Sequence, residues 1–256
     1  MKKVKLIAWI LFLMSIITVT IFISAAHEEV RCKKVYINFE ENRRDFLDEK
    51  DVRIALKPIA EKLEGRKIKD INIADVEKLI KNIEPVNHVE SYATVEGDLF
   101  INISLRKVLL RAIPQNQKGF YIDTAGARMS WLPKYTERVV VATGNFSKYC
   151  GSNDSSLSAS NEKRIIKDLF VLGQFYKNNK YWEAFTDQIY FNDNGEIEII
   201  PVYGDFKVVL GDVSNLEEKF SKLEKFYSEA LNAENIDLYS EIILKYKSQI
   251  VCKKKA

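Results

Sequence analysis

Asp123, two residues after Tyr121, is the side chain whose type and neighbourhood could best serve as a general acid or base. It heads the stretch Asp123-Thr124-Ala125-Gly126, however, and an aspartate at the head of a turn usually accepts hydrogen bonds from its own backbone. No second carboxylate or histidine accompanies it along the chain. Arg106 and Arg111 on a strand have the chemistry to bind an anion, though such pairs more often bridge acids at a domain seam. The two histidines, His27 and His88, have no metal-ligand spacing to Cys32, Cys150 or Cys252, so neither a zinc site nor a haem site is expected. His88 reads as a surface residue. Three cysteines so far apart form no disulfide framework. There is no G-x-S-x-G elbow, no nucleophile–histidine pair and no phosphate loop. These patterns argue against an enzyme and against any cofactor or metal.

The chemistry left is that of the backbone. Tyr246-Lys247-Ser248-Gln249-Ile250-Val251 reads as an extended run near the C-terminus. If it closes a sheet, one side of it carries unpaired N–H and C=O groups that can accept another protein's strand, with alternate side chains giving selectivity. Lys247, Lys253 and Lys254 would then discourage self-pairing, and residues 253–256 form a small, basic, solvated tail. Net charge is +3 and is spread along the chain; without a compact basic patch, nucleic acid is not an expected partner.

Several elements must hold that run in place, and the first is a hydrophobic N-terminus. Residues 6–26 carry no charge, and as a helix they reach roughly 30 Å, the thickness of a bilayer's hydrocarbon core. The rival reading is a cleaved signal peptide, with Ser24 and Ala26 as small residues at the cleavage site. Signal h-regions run to only about 7–15 residues, so length favours an uncleaved transmembrane helix. Lys2, Lys3 and Lys5 precede the run and mixed charge follows it, which keeps residues 1–5 cytoplasmic and exports the rest. The exported part, about 230 residues, is long enough for two domains.

In residues 32–106, Val35 to Phe39 alternates as a strand does. Asp48, with Asp51 three residues on, reads as the N-cap of a helix carrying Val52, Ala55, Leu56, Ile59, Ala60 and Leu63, in which Pro58 should make a kink or a split before Gly65 ends it. Asn72 caps a second helix with Val76, Leu79, Ile80 and Ile83, closed by Pro85. Val89 to Val95 and Leu99 to Leu105 form a hairpin around Gly97. A strand, two helices and two strands make a small α+β sandwich, with the helices on one sheet face.

From Lys107 to Cys252 the strands shorten. Phe120-Tyr121-Ile122, Val139-Val140-Val141 ending at Gly144, two strands joined by Asp193-Asn194-Gly195, Phe206 to Leu210, Ile242 to Tyr246 and Ile250 to Cys252 all read as strands. Helices are expected over Ile165 to Tyr176 and from Ser214 or Asn215 to Leu231, and residues 150–161 read as a loop. The expectation is a mixed β-sheet domain with two packed helices.

Several of these segments, in this order, resemble the FtsQ/DivIB family of cell-division proteins. The likeness rests on Gly97-Asp98-Leu99-Phe100-Ile101-Asn102-Ile103, then Arg106, Arg111 and Ile113, then Tyr121-Ile122-Asp123 and Gly126. Leu210-Gly211, Lys219-Phe220 with Leu223, and the closing Leu244-Lys245-Tyr246 add to it. The chain departs from the family pattern at Val108, where a proline is usual, and at Ile243, where an acid is usual. The resemblance implies a POTRA domain over 32–106 and an FtsQ-type β domain over 107–252, behind one inner-membrane helix. It further implies a non-enzymatic scaffold at the division septum, whose C-terminal region docks an FtsB–FtsL-like pair and whose POTRA domain contacts other divisome components. Tyr246 and Ser248 are the partner-binding positions that carry over. The runner-up is a membrane-anchored export or outer-membrane assembly factor, since POTRA-like segments occur there as well.

Overall fold

The computed structural model describes residues 9, 11–18, 30–40, 46–60, 63–115, 118–131, 136–149, 159–229 and 238–255. The chain divides into two compact units, Met1–Arg106 and Lys107–Ala256. The expected membrane helix lies largely outside the described residues; within it, residues 11–18 are helical. Among the described residues, no helix is long and apolar enough to cross a membrane.

In the first unit, β1 (Val35–Phe39) is followed by α1 (Glu49–Ala60), α2 (Ile73–Lys81), β2 (Val86–Ala93) and β3 (Leu99–Leu105). The strands lie in the order β1-β3-β2, with β1 parallel and β2 antiparallel to β3. Helix α1 starts where a reciprocal cap can form. The Asp51 amide donates to Asp48 Oδ1 at 2.9 Å and the Asp48 amide to Asp51 Oδ2 at 3.3 Å, so each carboxylate satisfies a helix-terminal N–H. Pro58 does not split α1. It stands in the last turn, where its missing N–H removes a single helical bond. Asn72 occupies the N-cap position of α2, but its side chain donates to Asp75 Oδ2 at 2.8 Å rather than capping the backbone.

Val52, Leu56, Val76 and Ile80 on the helices are buried, as are the alternate strand residues Leu99, Ile101 and Ile103. That alternation leaves the other face of the sheet to solvent. The β2–β3 hairpin turns through Gly97 at φ +97°, and a Cβ there would lie 2.3 Å from the Arg31 carbonyl oxygen, which admits only glycine. β2 begins three residues earlier than the alternation suggested, and His88 is exposed on it.

The second unit runs β4 (Val108–Pro114), β5 (Phe120–Asp123), β6 (Arg128–Ser130), β7 (Val141–Gly144), α3 (Phe146–Tyr149), α4 (Ala159–Asn178), α5 (Lys180–Phe185), β8 (Thr186–Phe191), β9 (Ile197–Pro201), β10 (Lys207–Gly211), α6 (Leu216–Glu229), β11 (Tyr239–Ile243) and β12 (Val251–Lys254). Nine strands form one mixed sheet in the order β12-β11-β10-β9-β8-β7-β4-β5-β6. The pairs β4–β7, β7–β8 and β10–β11 are parallel and the others antiparallel. One core joins Leu110, Ile122, Ile189, Ile199, Val208 and Ile242 of the sheet to Leu169, Leu172, Tyr176, Phe220 and Leu223 of α4 and α6. Helix α4 lies close on β4 because Gly173 has no Cβ; one would stand 2.9 Å from that of Leu109.

Strand ranges that differ from expectation include that expected from Phe206, which is Lys207–Gly211. The strand expected from Val139 is Val141–Gly144, that expected from Ile242 is Tyr239–Ile243, and that expected from Ile250 is Val251–Lys254. β4 holds Arg111 on a strand as expected, whereas Arg106 precedes it, and β6, α3 and α5 have no counterpart among the expected elements.

Candidate docking surface at the C-terminal edge

β12 pairs antiparallel with β11 and is the last strand of the nine. Its other side has no strand neighbour among the described residues, so a row of main-chain N–H and C=O groups is open there to pairing. The extended run expected from Tyr246 to Val251 is not continuous. Tyr246, Lys247 and Ser248 form a bend, Gln249 and Ile250 lie between bend and strand, and Val251 opens β12.

Tertiary contacts explain the bend. Leu244 is fully buried and its amide donates to the Val209 carbonyl at 2.9 Å, which ends the β11 run inside the core. Lys222 on α6 then donates its ammonium to the carbonyls of Tyr246 at 2.9 Å and Lys247 at 3.1 Å, holding the turn from outside the sheet. Lys245 reaches Glu196 at 2.9 Å and stands 5.6 Å from the centre of the Tyr246 ring. Tyr246 itself is 43% exposed. Lys247, Ser248 and Gln249 are also exposed, while Ile250 packs on the core.

The strands beside β12 carry a chain of alternating charge. Lys253 meets Glu241 at 2.7 Å, Glu241 meets Lys207 at 3.6 Å, and Lys207 meets the buried Glu198 at 2.8 Å. Asn192 completes it with a 2.7 Å bond to Glu198. Hydrogen bonding from Lys253 holds the Glu241 carboxyl below its usual range, and hydrogen bonding to Glu198 raises the Lys207 ammonium. A buried carboxylate such as Glu198 is tolerable only because cation and amide both reach it. Lys253, although exposed, is therefore engaged with its neighbour strand, and Lys254 is exposed as well. Lys255 is bonded to Asp205 at 2.9 Å.

The residues that first suggested chemistry have structural roles. Asp123 Oδ1 accepts from the amides of Ala125 at 3.0 Å and Ala127 at 2.7 Å, so this buried carboxylate shapes its own turn. Arg111 stands 5.7 Å over the Trp131 ring, and Arg106 donates to the Glu84 carbonyl at 3.4 Å. Cys32 is buried and Cys252 half-buried; both are free thiols whose pKa burial raises, which makes them poor nucleophiles. His27 and Cys150 lie outside the described residues. Among the described residues no group of His, Cys, Asp or Glu could hold a metal ion. Lys219 of α6, nearly buried, donates to the Asp212 carboxylate at 2.8 Å and to its carbonyl at 2.9 Å, tying the end of β10 to the helix.

Sequence reasoning missed the Lys222 clamp and the charge chain. Both depend on which strands and helices become neighbours, and no local pattern states that.

A family model described as FtsQ/DivIB, C-terminal related matches residues 109–253. A second, described as POTRA-like domain, matches residues 30–104. No curated protein matches the chain.

Proposed function

Because the chain belongs to the FtsQ/DivIB family, we propose that it is a non-enzymatic scaffold of the bacterial cell-division machinery. Residues 6–26 anchor it in the inner membrane, residues 1–5 remain cytoplasmic, and both folded units work outside the membrane at the septum. The second unit docks an FtsB–FtsL-like pair through the outer side of β12 and the exposed bend before it, with Tyr246, Lys247, Ser248, Gln249, Ile250 and Val251 as the contact run. The POTRA-like unit meets other division components.

The observation that carries this reading is the place of β12 at the end of the nine-stranded sheet, beside an exposed tyrosine. Main-chain pairing there would supply affinity, and Tyr246 would supply an aromatic anchor of the kind that dominates interfaces. The test is capture of the FtsB–FtsL-like pair by the full chain carrying Tyr246→Ala or Lys254→Pro, with circular dichroism confirming the fold. A proline in the edge strand removes a main-chain donor and obstructs an incoming strand. Capture should fall at least about tenfold in each folded variant. Full capture by both would place docking elsewhere.

A further inference from the structure

The sheet of the POTRA-like unit has two outer strands, β1 and β2, and docking at β12 gives neither of them a role. β2 is the greater hazard. Running from Val86 to Ala93, it is twice as long as β12, and a long outer strand is a template for pairing with another chain. Its ladder with β3 fixes which main-chain groups point outward. The Thr94 amide donates to the Asp98 carbonyl at 2.8 Å, and in the same register Tyr92 faces Phe100 and Glu90 faces Asn102. Bonded and non-bonded residues alternate along an antiparallel pair, so the N–H of Ser91 points away from β3.

That amide is not open to a partner. It donates to Glu77 Oε1 of α2 at 2.7 Å. Val76 and Ile80, on either side of Glu77, are fully buried, so the core fixes α2 and with it the carboxylate. Ser91 is itself buried, and its hydroxyl has no hydrogen-bond partner among the described residues. Satisfying a buried donor is a structural role in its own right. The choice of a carboxylate does more than that. An incoming strand presents a carbonyl oxygen to Ser91, and the negative charge already there repels it. The bond to be displaced is charge-assisted and the bond gained is neutral, so the exchange runs uphill. The opposite edge follows the same rule. The Leu99 amide takes the Lys34 carbonyl at 2.9 Å, which turns the carbonyl of Val35 outward, and Arg53 of α1 donates to it at 3.4 Å. An acceptor meets the outward N–H of β2 and a donor the outward C=O of β1, the groups that an added strand would otherwise supply.

We propose that Glu77 is an edge guard, whose carboxylate closes β2 to strand addition and keeps this unit from pairing edge to edge with a second copy of the chain. The proposal is independent of docking at β12.

The test combines residue-resolved amide hydrogen exchange with sedimentation of the full chain in detergent micelles. In Glu77→Ala the Ser91 amide should exchange at least about tenfold faster, while that of Tyr92, bonded to β3, should keep its rate. The same variant should associate as its concentration rises. Ser91→Pro added to it should restore the mass of the unaltered chain, because the proline removes the freed donor. Should the proline loosen the sheet, Ala93→Lys, which sets a charge on the same edge, should restore that mass with the circular dichroism unaltered. An unchanged Ser91 rate in folded Glu77→Ala overturns the proposal, as does a freed Ser91 amide without association. Association that persists in the folded double variants, or an unaltered chain that already pairs through β2, overturns it as well.

Discussion

Lys219 shows what a single buried charge requires of its neighbours. Its side chain is 8% exposed, whereas that of Asp212 is 61% exposed, so the ion pair has one dry and one wet end. Burial alone would raise the Asp212 carboxyl, but hydrogen bonds from Lys219 and Ser214 outweigh it and hold the group at about 2, against an ordinary 3.8. A carboxyl whose pKa is lower in the fold than in the open chain contributes stability above the ordinary value, and that stability disappears as pH falls toward the folded one. Solvent at the wet end keeps the contribution modest. Asp212→Asn should therefore lower the thermal midpoint at neutral pH, and its gap from the unaltered chain should narrow between pH 3.8 and about 2. A gap that stays constant across that window would show that the carboxylate does not carry the interaction. Asp123 illustrates the opposite outcome for an acid that looks reactive. Its acceptor oxygen is committed to two amides of its own turn, so the turn has absorbed the chemistry.

Helix α1 is the element whose packing is most directly testable. Leu56 is 2% exposed in the core of the first unit, while Ile54, two residues earlier, is 61% exposed. Leu56→Ala should cost roughly 2–5 kcal/mol in denaturant unfolding of that unit, through lost transfer energy and the cavity left behind. Ile54→Ala should stay within about 0.5 kcal/mol. Similar losses for both would mean the helix packs by a different stripe. That stripe was legible in the sequence because α1 and the sheet of the first unit each have a wet face and a dry one, so Val52 and Leu56, or Leu99, Ile101 and Ile103, recur at the period of their element. The second unit was harder to read. Phe120, Tyr121, Ile122 and Asp123 of β5 are all buried, and in β9 a buried Glu198 sits among Ile197 and Ile199, so polarity no longer reports which way a residue faces. The short β6 and α5 lack the length for any period to show. At the candidate surface, the C-terminal strand was legible but its start was not. The Lys222 contacts that bend Tyr246 and Lys247 come from a helix about 25 residues upstream, and such separations are invisible to local patterns.

At the scale of the molecule, each unit closes its own core. Among the described residues, the hydrophobic cluster of the second runs from Leu109 to Cys252. Units with separate cores can fold and act separately, which allows docking to be assigned to one of them. The edge strand β12, the Tyr246 bend and the Lys222 clamp all belong to Lys107–Ala256. Residues 107–256 produced alone should therefore unfold in a cooperative transition and capture the FtsB–FtsL-like pair within about threefold of the full chain's affinity, a difference well under 1.4 kcal/mol. Met1–Arg106 produced alone should fold around Leu56 and Ile80 yet capture neither protein. The measurement is surface-immobilised binding of the pair to each fragment, with circular dichroism melting of the same samples. Comparable capture by Met1–Arg106 would move the docking surface into the POTRA-like unit. Loss of capture by a folded 107–256 fragment would mean that the C-terminal edge does not suffice for docking.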